Sequence, residues 1–104
     1  MKLLSRPEEL VLLAIWHLND DAYCVPIRER IIELTDKDWS FGSVYIPLNR
    51  LEKKGLIASN LGDPTSERGG RAKRFYVLTR TGKEALQEVR ALNAKMWQGM
   101  PDTI

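Results

Sequence analysis

The sequence predicts a mainly α fold with one small β-hairpin, and two features of its patterning predict it. Apolar residues recur at helical spacing in four segments, near residues 7–18, 25–34, 42–54 and 79–98. Between the last two segments the pattern shortens and changes. There, 56–60 and 73–78 are strand-like runs on either side of a polar loop at 61–72 that holds Gly62, Pro64, Gly69 and Gly70.

The first helix is expected over Pro7–Leu18. Ser5 is placed to cap it, and Pro7, Glu8 and Glu9 suit a first turn. From Leu10 to Leu18 it is apolar nearly all round, which requires cover on both sides. A domain this small can hardly enclose such a helix alone, so a second chain is expected to cover one side. Packing is the expected role of Trp16, and His17 should end the helix partly exposed. After the turn at Asn19–Ala22, a second helix runs from about Val25 to Leu34, with Pro26 in its first turn and Ile27, Ile31 and Leu34 on one face.

The third helix, near 42–54, organises the rest. Val44, Leu48 and Leu51 lie at i, i+4 and i+7 and form its buried stripe, with Tyr45 beside them sharing their burial. Ser43, Ile46, Pro47, Asn49, Arg50, Lys53 and Lys54 are expected to point elsewhere. Ser40 or Ser43 can cap its start, and Gly55 suits a left-handed stop. Pro47 costs little only in or near the first turn, so the helix is expected to begin near Gly42. Two helices joined by a short connection, the second basic on its outward side, make a helix-turn-helix. The hairpin that follows is a wing, with Phe75 and Val77 on one side and Tyr76 and Leu78 on the other. Thr79 or Thr81 caps a last helix that continues to about Gln98 and stops at Gly99 and Pro101. Eighteen residues span about 27 Å, longer than support of a wing requires. Leu86, Val89, Met96 and Met100, with Asn93 as a polar member, form a heptad seam that calls for a partner helix. The fold is therefore a winged helix-turn-helix over residues 1–78 with a dimerisation helix and tail at 79–104, forming one compact domain.

Net charge is only +2, but it is unevenly placed. Acids outnumber bases across residues 1–36, whereas 68–83 holds Arg68, Arg71, Lys73, Arg74, Arg80 and Lys83 with no acid. That asymmetry suggests a polyanion for one surface. Cys24 is the one cysteine and His17 the one histidine, so an internal disulfide and a Cys/His zinc set are excluded. The apolar run at 10–16 is too short to span a bilayer, and no signal-peptide core is present, so the protein is expected to be cytoplasmic. No nucleophile with a partnered base, metal cluster or phosphate loop is visible; Gly69–Gly70 lacks the following helix such a loop needs. No cofactor is expected. A winged helix that binds protein instead of DNA would share this core but would leave the acid-free basic segment unexplained.

The ordered combination Gly42-Ser43-Val44-Tyr45-Ile46-Pro47-Leu48, Arg50-Leu51-Glu52-Lys53-Lys54-Gly55-Leu56-Ile57, Gly69-Gly70-Arg71-Ala72-Lys73-Arg74-Phe75-Tyr76, Leu78-Thr79 and Gly82 resembles the PadR family of bacterial transcriptional regulators. The resemblance covers roughly residues 7–97. Two departures stand out. Ala72 occupies a position where the family often has proline, and Tyr23-Cys24-Val25-Pro26 replaces a common glycine-tyrosine opening. The short C-terminus is similar to the subgroup with a single dimerising helix. The resemblance implies a homodimeric repressor whose recognition helices enter successive major grooves while its wings touch the backbone or minor groove. On that arrangement Ser43, Asn49 and Arg50 are candidate base or phosphate contacts, and Tyr45 can offer its hydroxyl to a phosphate. Arg71, Lys73 and Arg74 are candidate wing contacts, with Gly69 and Gly70 allowing close backbone approach. Lys53 and Lys54 lie far along the helix from its reading end. Some short relatives hold flat aromatic drugs beside tryptophans of the last helix, which makes Trp97 a candidate effector contact; packing against the first helix is its plainer expectation.

Overall fold

A computed structural model describes residues 3–62 and 73–103. Four α-helices and a two-stranded antiparallel hairpin follow in the order α1 (Arg6–Leu18), α2 (Cys24–Thr35), α3 (Phe41–Lys53), β1 (Ile57–Leu61), β2 (Arg74–Leu78) and α4 (Arg80–Trp97), with a single 3₁₀ turn at Asn19–Asp21 after α1. This is the mainly helical, winged-helix arrangement that the patterning predicts.

Three of the four helices start at a side-chain cap. Ser5 forms a reciprocal capping box with Glu8, Ser40 caps α3 through the Ser43 amide, and Thr79 caps α4 through the Gly82 amide. α3 ends in a Schellman motif: the Leu56 amide donates to Leu51 O and the Gly55 amide to Glu52 O, both at 3.0 Å. Gly55 takes the positive φ this motif requires, 76°. Leu51 and Leu56 are both buried, supplying the apolar contact that accompanies such an ending.

Val11, Leu12 and Ile15 of α1, Ile27 and Ile31 of α2, and Val44, Leu48 and Leu51 of α3 form the core, with Leu56, Ile57 and Tyr76 from the hairpin side. The strands pair in the register Ile57↔Leu78 to Leu61↔Arg74. β2 is tied to the helices as well, because the Tyr76 amide donates to Ala22 O at 2.8 Å. Tyr76 faces the core and Val77 faces out, as strand alternation requires.

Two expectations for α3 need correction. Tyr45 is 51 % exposed and does not share the core stripe. Pro47 is buried instead, because it lies three residues after Val44 and four before Leu51 and so completes their face. The helix starts at Phe41, which places Pro47 in the second turn and not the first. The backbone bond it cannot make would have gone to the carbonyl of Ser43. Ser43 is exposed, so water can satisfy that oxygen.

α1 is only half enclosed. Leu12 and Ile15 are buried, whereas Leu13 is 37 % and Trp16 62 % exposed, so Trp16 does not pack into the chain's own core as expected. The side left open lies toward α4, where Leu13, Trp16, Leu86, Arg90 and Asn93 line a groove of about 610 Å³. Beyond this groove every residue from 93 to 100 is exposed, including Met96, Trp97 and Met100. Trp97, 64 % exposed, therefore does not pack on the first helix of its own chain as expected.

A close backbone contact joins the Leu56 peptide, between α3 and β1, to the first turn of α4. A Cβ built on Gly82 would stand 2.0 Å from Leu56 O. The Thr79 amide donates to the same oxygen at 3.1 Å, and Thr79 Oγ1 donates to Gly55 O at 2.7 Å. Gly82→Ala must push backbone from backbone and is expected to destabilise the protein by about 3 kcal/mol, the upper end of overpacking costs. Urea unfolding measures this, and a loss below about 0.5 kcal/mol would show that the junction relaxes freely.

Candidate nucleic-acid interface

The chain leaves one face of α3 free. Opposite the buried row of Val44, Pro47, Leu48 and Leu51, the helix presents Gly42, Ile46, Asn49 and Lys53, with Ser43 and Arg50 on one flank and Tyr45 on the other; all seven are exposed. Ser43, Tyr45, Asn49 and Arg50 are thus brought to one accessible surface. Ser43 is partly engaged, its Oγ lying 2.9 Å from Ser40 Oγ at the helix cap.

Arg74 opens β2 and is exposed, while Lys73, just before it, is half-buried. The Lys73 ammonium stands 4.4 Å from the centre of the Tyr23 ring and donates to the Tyr23 hydroxyl at 3.3 Å. Tyr23 in turn meets Phe75 edge-on at 5.4 Å between ring centres, so the loop end of β2 is clamped to the start of α2. Arg74 Nη1 donates to Ser59 Oγ at 2.9 Å, and Ser59 donates to Glu52 of α3. A polar chain therefore joins hairpin to helix. Gly70 and Arg71, with Gly69, lie outside the described residues.

Two anchors of α3 went unrecognised in the sequence. At its start, Arg28 of α2 reaches across the turn: its Nε donates to the Trp39 carbonyl, its Nη2 lies 3.6 Å from Asp38 Oδ1, and its guanidinium carbon sits 4.6 Å from the centre of the Phe41 ring. At its end, Lys54 Nζ lies 2.6 Å from Glu8 Oε2. Lys54 is thus held by α1. Glu8 reads as an ordinary first-turn acid, yet its side chain is only 4 % exposed. Its other oxygen accepts from the Ser5 amide at 2.8 Å. Burial pushes the Glu8 carboxyl up, but the Lys54 hydrogen bond, the two Ser5 bonds and the Lys54 charge outweigh it and hold the group below its ordinary value. Nothing in local spacing signals either anchor; each needs the folded turn or the folded helix pair.

Among the described residues there is no group of three or more His, Cys, Asp or Glu that could hold a metal ion, and no helix is long and apolar enough to cross a membrane. Cys24 is half-buried, and burial raises its thiol above the ordinary value despite nearby Arg28, which makes it a poor nucleophile.

Comparison with known proteins places this surface in context. The family model described as "Transcriptional regulator PadR-like family" matches residues 12–88. A PadR-like transcription factor from Bacteroides fragilis is 23 % identical at a TM-score of 0.75, over 88 % of this chain and 82 % of that one. A PadR family regulator from Eggerthella lenta is 26 % identical at a TM-score of 0.69, over 86 % and 76 % respectively. A PadR family regulator from Clostridium difficile is 25 % identical at a TM-score of 0.67, over 93 % of this chain and all of that one. No curated protein matches.

The Glu8–Lys54 pair makes an acid-sensitive contribution to stability. Because the folded carboxyl titrates below its ordinary value of 4.5, the contribution is complete above that pH and is lost as pH falls through the folded value. Lys54→Met leaves a buried carboxylate without its cation. It is expected to cost about 1 kcal/mol at neutral pH, the low end because Lys54 is partly open to solvent, and to shift acid unfolding to higher pH. Circular dichroism followed from pH 7 to 2 reads both; an unshifted acid transition would remove the pair from the list of anchors.

Proposed function

The chain belongs to the PadR-like family of transcriptional regulators, and from that premise we propose that it is a cytoplasmic, homodimeric, sequence-specific DNA-binding repressor. As a member of a regulator family it is not an enzyme. The observation that carries the reading is the free face of α3: Ser43, Asn49 and Arg50 stand exposed on a helix whose opposite face is core and whose two ends are pinned. Polar side chains on a rigid helix suit the major groove, where Asn pairs with adenine and Arg with guanine edges. Tyr45 offers a hydroxyl at the flank of that face.

The hairpin loop, residues 61–74, is assigned to the DNA backbone or minor groove. Arg71, Lys73 and Arg74 supply charge and Gly70 a close backbone approach. Lys73 and Arg74 stand at the loop end of the hairpin, and Arg74 shares a polar chain with α3, which supports a common surface for wing and helix.

Dimerisation is assigned to the first and last helices. Leu13 and Trp16 of α1, Met96 and Trp97 of α4, and Met100 just beyond it are all exposed in the isolated chain, an apolar surface that a second copy would cover. Trp97 on that surface is also the candidate contact for a flat aromatic effector.

Selection of bound duplexes from a random pool tests the reading directly. It should return an inverted repeat with half-sites one helical turn, ~10 base pairs, or a multiple apart, and sedimentation at micromolar concentration should give twice the chain mass of 11.9 kDa. A monomer, or no retardation of any duplex at low salt, would favour a protein-binding winged helix instead. Replacing Arg71, Lys73 or Arg74 by Ala should weaken all sequences alike and lower the salt slope by about one unit per lost phosphate contact. An unchanged slope would return that residue to a solvated loop.

A further inference from the structure

Ile46 is out of place on the surface just described. It is 55 % exposed, and it sits in the row Gly42, Ile46, Asn49, Lys53 that points directly away from the core. The exposed aromatics of α3 have neighbours or lie to the side: Phe41 carries the Arg28 guanidinium over its ring, and Tyr45 flanks the row. Ile46 alone places a branched hydrocarbon at the centre of a polar face. Water gains nothing from it, and within the chain it buries no core surface.

We infer that Ile46 is a specificity-determining residue that packs on the 5-methyl group of thymine in the major groove. This rests on the DNA-binding reading above. Thymine's methyl is the apolar group that base pairs present in that groove, so an exposed aliphatic side chain on the reading face has one chemical partner there. Ile46 lines a groove with Trp39 and Pro47 on one side, but on the helix Ser43, Asn49, Arg50 and Lys53 lie around it, and an apolar protein covering the whole face would bury their polar groups without partners, which favours a base edge. In the groove those same groups meet phosphates and base edges. Asn49 and Arg50, three and four residues on, lie on the adjoining turn, where they can hold the neighbouring base pairs while Ile46 covers the methyl.

Deoxyuridine tests this contact, because it differs from thymidine by that methyl alone. The duplex preferred by the wild-type protein is first selected from a random pool, and its thymines are then replaced by deoxyuridine one symmetric pair at a time. At one pair, loss of the methyl should weaken wild-type binding about fourfold when one half-site is changed and about fifteenfold when both are. Ile46→Val should keep the penalty. Ile46→Ala should bind the thymine and uracil duplexes equally, with an unchanged thermal unfolding midpoint because the side chain lies outside the core. The inference is overturned if the wild type binds every uracil duplex as tightly as its parent, or if Ile46→Ala retains the full penalty. Binding that is indifferent to the methyl leaves DNA recognition standing and removes the Ile46 contact alone. Failure to retard any duplex at low salt removes both.

Discussion

The carbonyl of Leu56 is the point on which the geometry turns. It accepts from the Thr79 amide and lies against the backbone of Gly82, at a distance that leaves no room for any side chain there. One peptide therefore ends the Schellman turn of α3, begins β1 and receives the first turn of α4. The angle between the helix with the free polar face and the helix with the exposed apolar seam is set at this junction by backbone atoms. Side chains can change rotamer to absorb strain; two backbones in contact cannot. For a two-fold dimer built on α4, the same junction would set the separation of its two α3 faces.

Around that junction α3 is held at both ends by ionic contacts of different character. Arg28 combines a hydrogen bond to a main-chain carbonyl, a weak charge pair with the exposed Asp38 and a stacking contact with Phe41, all on the turn that launches the helix. Asp38 adds little of this, because its side chain is 95 % exposed and the attraction is screened. Glu8 is the opposite case. It is nearly sealed from water, so its charge would be costly without the Ser5 amide and the Lys54 ammonium, which donate to its two oxygens. The pair links the start of α1 to the end of α3, with Glu8 buried and Lys54 partly open to solvent.

The surfaces left uncovered separate into two kinds. On α3 the exposed groups are mostly polar and rigidly carried, which suits directional recognition. On α1 and α4 they are apolar and collinear with a groove, with Leu13 and Trp16 on one wall and Leu86 on the other. The second kind has no directional chemistry and gains chiefly from removal of water. One domain of this size cannot enclose both sides of α1 and an 18-residue α4, so the hairpin and α2 cover the inner side of α1 and the outer side stays open.

Local chemistry by itself determined where the elements lie. The caps at Ser5, Ser40 and Thr79, the left-handed stop at Gly55 and the change of apolar period after it are interactions within a few residues, so the four helices, the hairpin and the free Ser43–Arg50 surface were legible in the chain. Periodicity also named the core stripe of Val44, Leu48 and Leu51, but it misplaced Tyr45 and Pro47, because a side chain beside a stripe is buried only if a neighbouring element reaches it. Tertiary structure alone decided the rest. Glu8 meets Lys54 across 46 residues, Arg28 reaches Trp39 across 11, and Gly82 meets Leu56 only once α4 folds back on the hairpin. These contacts depend on how helices approach one another, and a charge or a glycine carries no periodic signature of the partner it will meet.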